Sequence, residues 1–125
     1  MDQRELKDRF KKFALRIMKL ANSLSSVNRG RLIGDQLFRS GTSSAANYRA
    51  ALRGRSVNEF ISKLCIAEEE LDECMFWMEL MIEGGFMREE MIKPLLNEAN
   101  ELLSIVISTK KTTRKNKLQI ENRQS

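Results

Sequence analysis

Apolar positions in the first two dozen residues fall three and four apart: Leu6, Phe10, Phe13, Ile17, Leu20 and Leu24. That spacing predicts one apolar stripe on a helix, with Arg4, Lys7, Arg9, Lys11, Lys12, Arg16 and Lys19 on its other faces. Asp2 with Glu5 three residues later is a capping box that opens it. Asn22–Gly30, rich in serine and asparagine, predicts a loop. A second helix is expected from about Leu32 to Arg53, its stripe being Ile33, Leu37, Gly41, Ser44, Tyr48 and Ala51. Gly41 inside a helix costs about 1 kcal/mol against alanine, so a closely approaching neighbour is the expected compensation. Gly54 stops this helix, and Ser56 with Glu59 restarts the chain as a second capping box. A turn this short makes the second and third helices an antiparallel hairpin.

The third helix carries the strongest pattern. Phe60, Leu64, Ala67, Leu71, Cys74, Met78 and Met81 recur at a near-heptad period, and Ile61, Cys65, Met75, Phe76, Trp77 and Ile82 widen the apolar surface. A helix apolar over so much of its girth must be covered on more than one side. Gly84-Gly85 ends it. A fourth helix begins around Arg88 or Glu89, its regular part expected only near Lys93 because of Pro94. Ile92, Leu95, Ala99, Leu102, Val106 and Thr109 form its stripe. From Lys110 the apolar pattern dissolves into Lys-Lys-Thr-Thr-Arg-Lys-Asn-Lys, so residues 110–125 are expected to be a basic, disordered tail on a domain spanning residues 1–109. Four amphipathic helices on short connections predict an all-α, up-down-up-down four-helix bundle.

Composition agrees with a single helical domain: 125 residues, one proline, six glycines and no strand pattern. No apolar run reaches the ~18 residues of a membrane span, and the N-terminus lacks the apolar core of a secretory signal. A cytoplasmic protein without membrane contact is therefore expected. Cys65 and Cys74, nine residues apart on one helix, sit ~13 Å apart along its axis, too far for a disulfide.

The charge is more informative than its net value of +5. Residues 1–55 hold 13 Lys/Arg against 4 Asp/Glu, residues 56–109 hold 3 against 12, and residues 110–125 hold 6 against 1. Clustered cations on the first helix and tail, Arg4, Lys7, Lys11, Lys12, Arg16, Lys110, Lys111, Arg114, Lys115 and Lys117, predict contacts to a phosphate backbone. Two oppositely charged halves could instead neutralise each other within one bundle, or mate head to tail between copies. Few aromatic residues remain to stack bases, which disfavours sequence-specific single-strand recognition.

Catalytic chemistry is hard to assemble. The chain has no histidine, the commonest general base and metal ligand, and a cysteine without one lacks an activating base. Bundle di-metal sites pair Glu with Glu-x-x-His, so Glu68-Glu69-Glu70-Asp72-Glu73 does not make one. No enzyme activity, cofactor or metal is expected. Arg39, Ser43 and Asn47, at i, i+4 and i+8 on one helical face, should form a structural polar network with Glu69, Glu70 and Glu73 of the third helix.

The stretch Leu37-Phe38-Arg39-Ser40-Gly41-Thr42-Ser43-Ser44-Ala45-Ala46-Asn47-Tyr48, then Arg55-Ser56-x-x-Glu59-Phe60-Ile61-x-Lys63-Leu64, Glu68–Glu73 and Trp77, resembles the four-helix-bundle family of the 23S rRNA intervening-sequence protein. The resemblance spans roughly residues 5–109 and is densest in the second and third helices. It implies a small bacterial, non-enzymatic protein, a left-handed up-down bundle assembled as a homopentamer. A related accessory protein of diversity-generating retroelements is thought to hold nucleic acid and a reverse transcriptase. The resemblance thus points to a nucleic-acid scaffold, RNA ahead of DNA, or to an assembly module docking a partner such as a reverse transcriptase. Many members carry an acidic residue shortly after the motif's asparagine, whereas Asn47 here precedes Tyr48-Arg49-Ala50-Ala51.

Overall fold

The computed structural model describes residues 1–124 and contains four helices: α1 (Gln3–Ser23), α2 (Gly30–Leu52), α3 (Val57–Glu83) and α4 (Glu89–Gln124). Both capping boxes form. The Asp2 carboxylate accepts the Glu5 N–H at 2.8 Å, and the Ser56 hydroxyl accepts the Glu59 N–H at 3.1 Å. Glu59 reaches back to accept the Arg55 N–H at 3.2 Å, which satisfies donors that the helix start would otherwise strand. At the other end of α3, Gly85 takes φ 74° and the N–H of Phe86 donates to the Met81 carbonyl at 3.0 Å.

Each helix packs on its neighbour in sequence, and α1 closes the circuit against α4 more sparingly. The result is an all-α four-helix bundle. Leu6, Phe10, Phe13 and Ile17 enter the core from α1, Leu37, Tyr48 and Ala51 from α2, Leu64, Leu71, Cys74, Met78 and Met81 from α3, and Ile92, Leu95, Ala99, Leu102 and Val106 from α4. Predicted stripes and buried faces agree closely, with local exchanges. Ala21 is buried in α1 where Leu20 is only partly so, and Gly34 in α2 replaces half-buried Ile33.

Small residues in α2 allow the close approach that the sequence requires. A Cβ on Gly41 would stand 2.6 Å from Ile17 Cγ2, and one on Gly34 would stand 3.0 Å from the Ala21 carbonyl oxygen. Phe10 stacks on Tyr48 with ring centroids 4.6 Å apart and planes 10° from parallel. Ser40 and Ser44 are fully buried, and their hydroxyls donate to the carbonyls of Gln36 (2.9 Å) and Gly41 (2.7 Å). Satisfied within their own helix, they cost little in an apolar seam.

Two expectations at α4 change. The helix is regular from Glu89, because Pro94 is exposed on its outer side and deprives only one carbonyl of its partner. It also continues through Lys110 to Gln124, where the sequence predicts a disordered tail. The inward stripe does not end at Val106. Lys110, buried, and Thr113 and Lys117, half-buried, extend it at the same spacing, laying long side chains where apolar residues would otherwise stand.

Candidate nucleic-acid interface

On α1, the residues predicted to hold phosphates are all exposed: Arg4, Lys7, Lys11, Lys12 and Arg16. Among the described residues none of the five has a carboxylate within 4.0 Å. At ~100° per residue they divide into two edges. Lys7 and Lys11 flank the seam with α2, whereas Lys12 and Arg16 lean toward the α4 side. Arg9, which lies between that side and the core, is the α1 cation drawn into the bundle. Its guanidinium donates to both oxygens of Glu98 (2.6 and 3.2 Å) and comes within 3.2 Å of Glu101. The hydrogen bond to Glu98, partly opposed by desolvation, raises its pKa further.

The five tail cations of the predicted set fare differently from one another. Lys110 is only 7% exposed. Its ammonium donates to the Glu68 carboxylate and approaches Cys65 Sγ at 3.5 Å. Burial pulls its pKa down, and the Glu68 hydrogen bond and charge more than restore it. Lys117 donates to Asn58 Oδ1 and pairs with Glu121 at 3.7 Å. Both hold α4 onto α3, so Lys110 and Lys117 are withdrawn from the predicted phosphate set. Arg114 is exposed but leans on Cys65 Sγ at 3.7 Å, and Lys111 and Lys115 are exposed.

The predicted polar network also divides. Arg39 donates to Glu70 at 3.2 Å and to Glu73, while Asn47 donates to the Ser43 carbonyl (2.9 Å) and hydroxyl (3.1 Å) one helical turn back. Glu69 is exposed and outside the cluster, because the rotation of α3 presents Glu70 and Glu73 to α2. Arg39 is half exposed, so the cluster is a surface clamp, not a buried one. The Arg39 hydrogen bond holds the Glu73 carboxyl below its ordinary range, whereas burial pushes that of Glu70 up despite the nearby guanidinium. Glu68 therefore answers α4, Glu70 and Glu73 answer α2, and the acidic run is largely the complement of basic neighbours.

Two features escaped the sequence. Arg49 of α2 shares with Lys7, Asp8, Lys11, Ala14 and Ala45 an opening of about 330 Å³ on the α1/α2 seam; no spacing within one helix could have paired it with α1. Trp77 Nε1 is buried, with the Glu73 carboxylate as the acceptor near it, beside exposed Phe76 and Leu80. Cys74 is buried, which pushes its thiol up to about 12, and both cysteines are free. Among the described residues no group of His, Cys, Asp and Glu could hold a metal ion, and no helix is long and apolar enough to cross a membrane.

The family model described as 23S rRNA-intervening sequence protein matches residues 3–108. Among solved structures, the chain is similar to a protein of unknown function from the S23 ribosomal protein family of Bacteroides thetaiotaomicron. The two are 34% identical over 89% of this chain and 99% of the other, with a TM-score of 0.84. No curated relative matches.

Proposed function

Since the chain belongs to the 23S rRNA-intervening sequence protein family, we propose that it is a non-enzymatic, oligomeric scaffold that holds nucleic acid, RNA ahead of DNA. The observation that carries this reading is the set of exposed cations on the two edges of α1, Arg4, Lys7, Lys11, Lys12 and Arg16, left without carboxylate partners by a fold that pairs Arg9, Arg39 and Lys110. From Arg4 to Arg16 they span ~18 Å along the helix axis, enough to meet several phosphates and release their counterions. Lys111, Arg114 and Lys115 of α4 form a second exposed group, with Arg114 against Cys65 of α3. In a ring such as the homopentamer expected for the family, these cations would be repeated about the axis, and the field at its centre would rise accordingly.

Fluorescence anisotropy with a structured RNA and a duplex DNA, across a salt series, tests this. The full chain should bind with an affinity that falls steeply as salt rises, and residues 1–109 should bind more weakly with a shallower slope. Absence of binding at low salt would overturn the reading. A second reading, docking of a protein such as a reverse transcriptase, rests on exposed Phe76 and Leu80, since such patches mark protein contacts. Under it, Phe76→Ala would abolish capture of the purified partner and leave RNA affinity unchanged.

A further inference from the structure

We propose that the opening between α1 and α2 is a seat for phosphate groups, closed by Lys7 and Lys11 from one helix and Arg49 from the other. The inference rests on the nucleic-acid reading and narrows it to one place. The seam is held by Phe10 against Tyr48 and by Ile17 against Gly41. Between those contacts Ala14 and Ala45 line the surface, and their methyl groups are too short to fill it. The resulting depression of about 330 Å³ lies at the lower end of the range for small-ligand clefts.

Lys7 and Lys11 stand one turn apart, ~6 Å along α1, on the edge that faces α2. Arg49 follows Tyr48 and reaches the same opening from the opposite wall. All three are exposed, and among the described residues none has a carboxylate within 4.0 Å, although Asp8 lines the same opening. Three cations against one carboxylate leave an excess of two positive charges in a concavity. Two lysines supply mobile point charges, and the guanidinium supplies the planar fork that grips phosphate oxygens in pairs. The shared chemistry is a phosphate group, offered by a nucleic-acid backbone or by a free polyphosphate.

The test compares two full-length triple variants of equal charge loss. Lys7→Gln/Lys11→Gln/Arg49→Gln removes the seat. Lys19→Gln/Arg88→Gln/Lys93→Gln removes exposed cations from the other end of the bundle. Circular dichroism checks that both are folded, and RNA anisotropy across a salt series is read alongside calorimetry with inorganic tripolyphosphate. The seat variant should lose affinity for RNA beyond the control, with the salt slope shallower by about two to three. Equal losses in both variants would overturn the seat while leaving α1 as a diffuse phosphate-binding face. If the unaltered chain binds no RNA, the nucleic-acid reading fails, and tripolyphosphate decides the seat by itself. Binding that Arg49→Gln abolishes would assign it to free polyphosphate, and no binding would overturn it.

Discussion

Beside Arg39, two carboxylates one turn apart shift in opposite directions, Glu73 through its hydrogen bond to the guanidinium and Glu70 through burial. Glu73, held low by its hydrogen bond to Arg39, contributes stability that is complete above the ordinary carboxylate range and is lost as pH falls through its depressed folded value. Glu70, pushed up by burial, has the opposite sign: its ionised form is disfavoured in the folded chain, and that penalty lifts as pH falls through its raised value. Arg39 is half exposed, so solvent screening keeps both effects within about 1 kcal/mol. Glu73→Gln should lower stability at pH 7 and flatten its loss at acid pH, whereas Glu70→Gln should be neutral or slightly stabilising. Thermal melts of the two variants between pH 3.5 and 7 check this; equal destabilisation by both would contradict it. Arg39 with an acidic partner was legible from helical spacing. The choice of Glu70 over Glu69 was not, because it depends on how α3 is rotated about its axis.

Helices α2 and α4 each break a local rule and are rescued by a neighbour. Gly41→Ala should raise helix propensity yet destabilise the bundle by about 1–3 kcal/mol, because the new Cβ meets the branch of fully buried Ile17. Ile17→Ala in the same chain should recover part of that loss, so chemical denaturation of the two single variants and the double variant should give costs that do not add. Additive costs would show that the approach at Gly41 is looser than 2.6 Å. In α4, the helix past Thr109 is marked by a stripe of Lys110, Thr113 and Lys117 that apolar periodicity does not detect. Deleting residues 110–125 should leave the mean residue ellipticity nearly unchanged, since the removed part is as helical as the rest. A disordered tail would instead make it rise by about a seventh on deletion.

At the scale of the whole molecule, the opposed charges of the two halves are only partly spent inside the chain. Bridges from Arg9 to Glu98 and from Arg39 to Glu70 and Glu73 join the basic half to the acidic one, and the remaining α1 cations face solvent, as do Glu69, Asp72 and Glu79 of α3. As the alternative to a phosphate-binding α1, since cations buried between copies cannot also meet phosphates, such surfaces suit heterologous contact between copies, which closes into a ring when the rotation permits. Reversing Lys7, Lys11, Lys12 and Arg16 to Glu should therefore lower the native mass measured by light scattering in the absence of nucleic acid. A folded variant of unchanged mass would remove α1 from the assembly contact.

By itself the sequence determined the four helices, their order, both capping boxes, most of the buried faces and the charge of each segment. Those properties arise within one helix, from a 3.6-residue period and a few capping residues, and need no knowledge of neighbours. The tertiary structure decided which Glu meets Arg39, that Lys110 is a packing residue, and that Arg49 stands across from Lys7 and Lys11. These depend on register and rotation between helices, set by the packing of the core and, between α1 and α2, by the Phe10–Tyr48 stack and the Ile17–Gly41 contact.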